Sequence, residues 1–356
     1  MRMDMITLER GSTRLRMMDP RAEEPYYRGT RFDRTGIILG LESGGHRYVQ
    51  PWQRHYDPWS HDAVSGPAEE FLPIEAGKSD IGGVRAAFGV TQPQRSEDGR
   101  SRMRSGSADT AGWLKIGVGL LRDDGAPYDR FKLYDILDPG QFTVCFGQAD
   151  YTGGQAPLSA TSILAALRLS NADSGARPAG PEPSSVTFRH KLTGHYDYVK
   201  TVEIPADGRL RLTHALRNDS PDPIDTYVYC HNFFILDGAP TSRATRYDFP
   251  WRPVGDWRAP YDSVRLTEHG ITFDRDLRPD ETVFMGNLRP DNPTASGYRF
   301  ILRNTENGLG VEAFCDRQME YAVFWSNSDV SCLEPYIPLH LNPGQTARWT
   351  LDYRFL

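Results

Sequence analysis

The sequence has no long apolar run, no excess of basic residues and no general shortage of apolar residues. No stretch reaches the roughly 18 apolar residues of a membrane-spanning helix, so we expect no membrane segment. Asp and Glu number 47 against 41 Lys and Arg, a formal net charge of −6, which argues against nucleic-acid binding through a basic surface. Apolar residues make up 38% of the chain and 33 glycines accompany them, a composition typical of globular rather than disordered proteins.

Signals for export, for a cysteine-based metal site and for a phosphate-binding loop are also missing. The first twenty residues contain no apolar segment of the kind found in secretory signals, which predicts a cytoplasmic protein. The four cysteines are widely spaced without a CxxC pair, so we expect buried free thiols. The glycines of residues 116–119 alternate as in a strand and precede no helix, so a dinucleotide-binding fingerprint is excluded.

Helical periodicity is nearly absent, and alternation with a period of two takes its place. The best helical segment is residues 160–170. In residues 209–218 every second residue from Leu210 to Leu216 faces one side, the pattern of a half-buried strand. Residues 346–356 alternate in the same way, and about ten similar short runs are separated by turn signals such as Asp-Gly and Pro-Gly. The sequence therefore predicts an all-β fold, a large antiparallel β-sandwich.

The domain organisation follows from how these strand patterns are distributed. Length alone suggests about two domains, but all-β folds often exceed the usual domain size. Two segments, 92–109 and 171–185, are poor in apolar residues and are typical of flexible insertions. Strand patterns of the same kind lie on both sides of each segment, and no internal repeat is present. We therefore predict that residues 1–356 form a single β-sandwich domain that carries these two insertions.

Three short segments carry side chains suited to chemistry. His231 stands in an apolar strand that runs on towards a loop. Glu334 lies within an apolar run near the end of the chain, where a carboxylate is costly unless it is paired or used. Arg31 lies in a Gly-Thr-Arg-Phe-Asp segment near the start of the chain. These three residues are the first candidates for a functional site.

The residues around His231 and Glu334 resemble motifs of the aldose 1-epimerase, or galactose mutarotase, superfamily. The run His-Asn-Phe-Phe-Ile-Leu-Asp-Gly that begins at His231 is similar to that family's His-x-Tyr-Phe-Asn-Leu-x-Gly motif, and Leu-Glu-Pro around Glu334 is similar to its Glu-Pro motif. The resemblance covers most of the chain after about residue 185. Before that point, Arg31 is similar in setting to the family's sugar-binding arginine, and His61 to its other active-site histidine.

The resemblance implies a galactose mutarotase-like β-sandwich and an isomerase that interconverts the anomers of a sugar. It implies Glu334 as the base that takes the proton from O1 and His231 as the acid that protonates the ring oxygen, with no cofactor. Asp248 is a candidate for the sugar-binding aspartate by residue type alone, and Trp251 is a candidate for lining the cleft. The expected partner is a small sugar or an oligosaccharide, with neither nucleic acid nor a membrane involved.

Two residues depart from the family's pattern and leave other functions open. Cys230 stands where the family usually has asparagine before the histidine, and Thr30 where it often has asparagine before the arginine. One alternative is a carbohydrate lyase or glycoside-cleaving enzyme on the same scaffold, in which Arg31 neutralises a uronate carboxylate. The other alternative is a non-catalytic sugar-binding protein, since one fold hosts many functions.

Several of these residues also have a purely structural interpretation. Arg31 could pair with a nearby carboxylate, and His61 could be a histidine of a surface loop. Glu69 and Glu70 are explained by the solvated edge of a loop. A metal site in the histidine-rich segment 46–61 lacks the tight ligand spacing that such sites show, so no metal is predicted.

Overall fold

The computed structural model describes residues 5–53, 55–75, 112–146, 182–295 and 297–356. These ranges contain strands, loops and one short 3-10 helix, Leu236–Gly238, without any α-helix. The all-β prediction is confirmed. Within the same ranges, no helix is long and apolar enough to cross a membrane.

Part of the predicted organisation falls outside the described residues. The predicted insertion 92–109, the helical segment 160–170 and residues 171–181 of the second predicted insertion all lie there. The last residue of that second segment, Ser185, begins a strand.

The largest sheet has ten antiparallel strands, labelled here in chain order and given in spatial order. They are β10 (Gln141–Phe146), β11 (Ser185–Leu192), β12 (Tyr196–Glu203), β13 (Arg209–Asn218), β24 (Thr346–Phe355), β21 (Gly310–Cys315), β20 (Arg299–Asn304), β15 (Thr245–Asp248), β18 (Gly270–Phe273) and β17 (Val264–Thr267).

A second sheet of six antiparallel strands faces the first. Its spatial order is β16 (Pro253–Trp257), β19 (Val283–Pro290), β22 (Tyr321–Ser326), β23 (Ser331–Leu341), β14 (Ile224–His231) and β5 (Ala68–Phe71). Two smaller sheets complete the described structure. One is β1 (Met5–Arg10), β2 (Thr13–Met18), β3 (Ile38–Ser43) and β4 (His46–Val49), and the other is β6 (Ile74–Glu75), β7 (Gly112–Lys115), β8 (Gly119–Arg122) and β9 (Ile136–Asp138).

Alternation in the sequence explains which face each strand buries. Strand β13 has the predicted bounds and buries the predicted face, from Leu210 to Leu216. Strand β24, which pairs with it, buries Trp349, Leu351 and Tyr353 in the same way. Because side chains of a strand alternate between the two faces of a sheet, these residues form the inner face of the larger sheet.

The two large sheets pack face to face around one main apolar core. The ring of Phe71 on β5 lies 5.3 Å from that of Tyr198 on β12. At the other end, the hydroxyl groups of Tyr247 on β15 and Ser331 on β23 are hydrogen-bonded at 2.8 Å. The sandwich therefore gives the six-stranded sheet a buried inner face and leaves its outer face to be covered by loops.

Candidate active site

A cleft of about 670 Å³ lies on the outer face of the six-stranded sheet, and both main candidates line it. Its aromatic lining residues are Trp52, Phe131, Phe233, Trp257, Phe284, Tyr321, Trp325 and Tyr336. Its charged lining residues are Arg31, Asp62, Arg130, Asp256, Arg258 and Glu334. Aromatic faces with a few converging polar groups are typical of small-molecule sites and suit the apolar faces and hydroxyl edges of sugar rings.

His231 and Glu334 meet at the floor of this cleft because their strands are neighbours. Tyr229 on β14 pairs with Tyr336 on β23, so the antiparallel register places His231 opposite Glu334 two residues further on. The Nδ1 atom of His231 lies 3.0 Å from Oε1 of Glu334. The histidine is fully buried and the glutamate is nearly so, with 6% of its surface exposed. The two residues are therefore close enough to act on one substrate edge.

Glu70 on the neighbouring strand β5 holds both His231 and Arg31. Its Oε2 atom accepts a hydrogen bond from Nε of Arg31 at 2.8 Å and lies 3.1 Å from Nε2 of His231. Its Oε1 atom lies 3.3 Å from Nζ of Lys115. All four side chains are buried, so these contacts are shielded from solvent. They fix the orientation of the His231 imidazole.

The network continues from Arg31 to the rim of the cleft. The Nη1 atom of Arg31 donates to Oδ1 of Asp62 at 2.7 Å. The other carboxylate oxygen of Asp62 lies 2.8 Å from Nε2 of His61, which is partly exposed. The ring of His61 also makes an edge contact with Phe131, which lines the cleft. His61 therefore reaches the site through Asp62, without lining the cleft itself.

Electrostatics favour a charged histidine and a charged carboxylate behind it. Burial alone would lower the pKa of His231, but contacts with Glu334 and Glu70 raise it above its ordinary value. Burial alone would raise the pKa of Glu70, but the charges of Arg31 and Lys115 hold it well below its ordinary value. Glu70 is therefore a negative charge next to a histidine whose protonated form is favoured.

The residue before Glu70 faces the opposite side of the strand and forms a second buried cluster. Glu69 is ion-paired with Lys200 on β12 and His214 on β13, within the core of the sandwich. The same lysine lies 3.7 Å from a carboxylate oxygen of Asp33. Burial alone would raise the pKa of Glu69, but His214 and Lys200 lower it to about 2. This cluster binds β5 to the larger sheet directly behind the cleft.

Aromatic contacts set the shape of the cleft around the two catalytic candidates. Tyr336 stacks on Tyr229 with ring centres 3.9 Å apart and on Tyr321 at 4.6 Å. The ring of Phe32 makes an edge contact with His231 at 4.9 Å. The rings of Phe32 and of Tyr229, which lies 5.0 Å from the imidazole, therefore pack against His231 and limit how far it can move.

The structure brings four of the six predicted site residues together and not the other two. His231, Glu334 and Arg31 line the cleft, and His61 joins them through Asp62. Asp248 lies on β15 of the other sheet, where it pairs with Arg246 and Arg303. Trp251 is buried, stacks on Phe249 and donates its indole N–H to the carbonyl of Gly297.

The two residues that depart from the family's pattern do not change the cleft. Cys230 points to the inner face of its sheet, where its sulfur accepts a hydrogen bond from the Tyr353 hydroxyl at 3.5 Å. Thr30 is buried and accepts a hydrogen bond from the backbone N–H of Tyr134. Because neither residue lines the cleft, neither departure argues against sugar chemistry there.

One group of described residues could hold a metal ion by distance alone. The ligand atoms of His231, Cys332 and Glu334 all lie within 4.8 Å of one another. Burial raises the pKa of the Cys332 thiol well above its ordinary value, so a metal would have to displace its proton. In the histidine-rich segment 46–61, His46 contacts Asp237 and His61 contacts Asp62.

Sequence reasoning missed Glu70 and Lys115, two buried charged residues next to the candidate site. The prediction of a solvated loop edge for Glu69 and Glu70 is wrong, because both side chains are fully buried on β5. A signal was present, since the two acids lie between Gly-Pro-Ala and Phe-Leu-Pro-Ile and would point to opposite faces of a strand. For Lys115, the surrounding Trp-Leu-Lys-Ile run was the corresponding signal.

Comparisons with known proteins agree on the fold. No family model matches the sequence, and no curated protein matches it. Among solved structures, Slr1438 of Synechocystis sp. PCC 6803 matches with a TM-score of 0.52 at 12% identity, covering 100% of this chain and 96% of that one. A candidate aldose 1-epimerase of Escherichia coli K12 matches with a TM-score of 0.52 at 11% identity, covering 99% of each chain.

A third match points to the same group. A galactose mutarotase related enzyme of Lactobacillus acidophilus matches with a TM-score of 0.50 at 13% identity, covering 99% of this chain and 97% of that one. Likenesses at such low identity are likenesses of architecture, and function has to be argued from the site. The predicted fold is confirmed: this chain shares its β-sandwich fold with these aldose 1-epimerase-like and galactose mutarotase related structures.

Proposed function

We propose that this protein is an aldose 1-epimerase that interconverts the α and β anomers of a sugar by general acid–base catalysis. The observation that carries the proposal is the contact between His231 and Glu334, 3.0 Å apart at the floor of an aromatic cleft. Ring opening of a cyclic sugar needs a base at O1 and an acid at the ring oxygen, two atoms bonded to the same carbon. An adjacent carboxylate and imidazolium match that requirement.

In the first step, Glu334 acts as the base and His231 as the acid. The Glu334 carboxylate takes the proton from the O1 hydroxyl while the O1–C1 bond becomes a carbonyl. The C1–O5 bond breaks, and O5 takes a proton from Nδ1 of His231. Nε2 of His231 is held by Glu70, so the proton comes from Nδ1, which exchanges its contact with Glu334 for one with O5 of the substrate.

The second step is the reverse of the first on the other face of the carbonyl. Rotation about the C1–C2 bond of the open-chain sugar presents the opposite face to O5. O5 attacks C1 and returns its proton to His231, while O1 takes back the proton from Glu334. Both residues then have their starting protonation states, so the cycle needs no cofactor and consumes no co-reactant.

The charges around Arg31 support an epimerase better than a uronate lyase. In a lyase of that kind, Arg31 would neutralise the carboxylate of the substrate. Here its guanidinium group already contacts two carboxylates, Glu70 at 2.8 Å and Asp62 at 2.7 Å. The remaining N–H groups of Arg31 are better suited to donating hydrogen bonds to sugar hydroxyl groups. The cytoplasmic location predicted from the sequence stays part of this proposal.

Proton NMR of freshly dissolved sugars tests the reaction type directly. The purified protein is mixed with a panel of aldoses, uronates and oligosaccharides, and the anomeric signals are followed with time. Accelerated exchange between the α and β signals supports the epimerase. New alkene protons or released monosaccharides without accelerated exchange would contradict it and identify a lyase or a glycoside-cleaving enzyme. Line broadening of one sugar without any reaction would identify a sugar-binding protein.

A further inference from the structure

The cleft extends along one row of the six-stranded sheet, from the catalytic pair to the far edge. Glu334 on β23 is paired with Val323 on β22. Val323 faces a bulge in β19, since the register between these strands shifts between Met285 and Leu288. At the other side of that bulge, Gly286 is paired with Asp256 on β16. Glu334, Val323, the bulge and Asp256 all line the cleft.

This row is longer than one sugar ring. Three interstrand steps of about 4.8 Å separate β23 from β16, so Glu334 and Asp256 lie roughly 14 Å apart along the row. The O1 and O4 atoms of a pyranose are joined by five covalent bonds of about 1.5 Å, so they lie less than roughly 7 Å apart. A ring held at Glu334 therefore ends about halfway to Asp256.

The volume of the cleft agrees with this length. At about 670 Å³, the cleft has the size of pockets that hold drug-sized ligands, roughly 300–1,000 Å³. A single hexose contributes only 12 non-hydrogen atoms. The cleft therefore has room for a second unit of similar size beside the ring that reacts.

Polar groups for that second unit stand at the far end of the row. Asn287 has a φ of 50°, a left-handed conformation that non-glycine residues seldom adopt. Its Nδ2 atom donates to Oδ2 of Asp256 at 2.8 Å. Neighbouring irregularities in β16 and β19 aim both side chains into the cleft, which is a common use of β-bulges. A carboxylate beside a carboxamide offers acceptors to sugar hydroxyl groups.

Aromatic side chains follow the row on both sides. Tyr321 and Tyr336 lie on one side of it, and Trp325 and Phe284, which are opposite each other on β22 and β19, lie on the other. Farther out, the guanidinium group of Arg258 lies 3.9 Å from the centre of the Phe284 ring. A chain of sugar rings presents apolar faces to such walls and hydroxyl groups to the ends.

We infer that the cleft has a second sugar subsite, formed by Asp256 and Asn287, and that it takes a reducing disaccharide or longer oligosaccharide. The reducing-end ring lies at His231 and Glu334, and the next ring lies at the β19 bulge. The reaction at the reducing end rests on the proposed epimerase function. The binding of two linked rings does not rest on it, so the two can be tested separately.

The test compares glucose with three disaccharides that have glucose at the reducing end: maltose, cellobiose and lactose. Anomer exchange is measured by NMR for the wild type and for Asp256→Ala. We expect at least one disaccharide to have a kcat/KM about tenfold above that of glucose. We expect Asp256→Ala to remove that advantage by lowering the kcat/KM of the disaccharide about tenfold more than that of glucose. Asp291→Ala, an exposed aspartate at the end of the same sheet and outside the cleft, is the matched control.

The binding of sugars to the Glu334→Gln variant tests the second subsite separately from the epimerase function. Saturation-transfer NMR reports binding of the same four sugars without turnover. If the wild type exchanges no anomers but Glu334→Gln still prefers a disaccharide through Asp256, the epimerase proposal fails and the second subsite stands. Equal binding of glucose and all three disaccharides would overturn the second subsite, as would an Asp256→Ala variant that loses glucose and disaccharide equally.

Discussion

At the scale of single residues, Glu70 connects the cationic side chains of the site, although no sequence motif identifies it. Its carboxylate contacts Arg31, Lys115 and His231, and it is fully buried. The cations around it keep its pKa well below its ordinary value, so its charge is constant near neutral pH. We propose that it is a positioning residue, because it contacts His231 and Arg31, which line the cleft, and does not line the cleft itself.

This role predicts a shift in the pH profile of Glu70→Gln. His231 must be protonated to act as the acid, so kcat/KM falls as pH rises through the pKa of His231. The wild-type pKa is raised above its ordinary value, partly by Glu70. Removing the charge of Glu70 lowers the pKa of His231. We therefore expect the alkaline limb of the pH profile of kcat/KM for anomer exchange to move to lower pH by roughly one unit.

Thermal unfolding of the same variant provides the control. The substitution also leaves Arg31 and Lys115 with less compensating charge, so some loss of stability is expected. Activity is therefore measured well below the midpoint of unfolding. An alkaline limb that stays in place while kcat falls would show that Glu70 has only a structural role.

At residue scale, the sequence predicts where the acid–base candidates lie but not which residues support them. Glu334 and His231 could be predicted because each lies in a recognisable motif within an apolar run. Glu70 could not be predicted as a site residue in the same way. Its contacts depend on the register of β5 against β14 and on the loop that brings Arg31 next to it. The prediction that Asp248 binds the sugar rests on residue type alone. Residue type does not indicate which sheet a residue joins.

At the scale of elements, strand β5 connects the cleft to the core of the sandwich. Glu70 faces the cleft and Glu69 faces the larger sheet, because consecutive residues of a strand point to opposite faces. Glu69 has Lys200 and His214 as its partners there. The second cluster therefore holds in place the strand that positions His231.

Lys200→Met tests this support. The substitution leaves Glu69 buried with one cation fewer, which typically costs about 3–5 kcal/mol of unfolding free energy. Glu69 has its pKa lowered to about 2, so its contribution is present above its ordinary pKa and is lost as pH falls towards 2. The free energy of unfolding is measured in urea at pH 7 and at pH 3. We expect the difference in this free energy between wild type and Lys200→Met to be smaller at pH 3.

A surface pair provides the matched comparison for that experiment. Arg211 and Asp352 are paired across β13 and β24, with 42% and 35% of their side chains exposed. Arg211→Met should cost less than about 1 kcal/mol, since exposed ion pairs contribute little. Equal losses for Lys200→Met and Arg211→Met would contradict the role given to the buried cluster.

Strand positions could be predicted at this scale better than strand neighbours. Strand β13 follows directly from the alternation between Arg209 and Asn218. The order β16-β19-β22-β23-β14-β5 has no comparable signal, because pairing between distant strands leaves no local pattern. The bulges that aim Asp256 and Asn287 into the cleft are likewise set by tertiary contacts.

At the scale of the whole molecule, one main apolar core takes buried side chains from all four sheets. Its buried members run from Ile6 on β1 to Phe355 on β24. A shared core predicts one cooperative unfolding transition, in keeping with the single domain expected from the sequence. Calorimetry should therefore give one peak that coincides with the loss of far-ultraviolet and near-ultraviolet circular dichroism. Two separated peaks would indicate two domains.

Anomer exchange would depend on the whole assembly of sheet, cleft and acid–base pair. The rate of exchange between α and β anomers is measured by NMR for the wild type, Glu334→Gln and Glu320→Gln. Glu320 is exposed and contacts Tyr227 outside the cleft, so its substitution is the matched control. We expect the wild type to accelerate exchange. We expect Glu334→Gln to slow that exchange by about 10²–10⁴-fold and Glu320→Gln to leave it at the wild-type rate. Exchange that Glu334→Gln leaves at the wild-type rate would contradict the epimerase proposal.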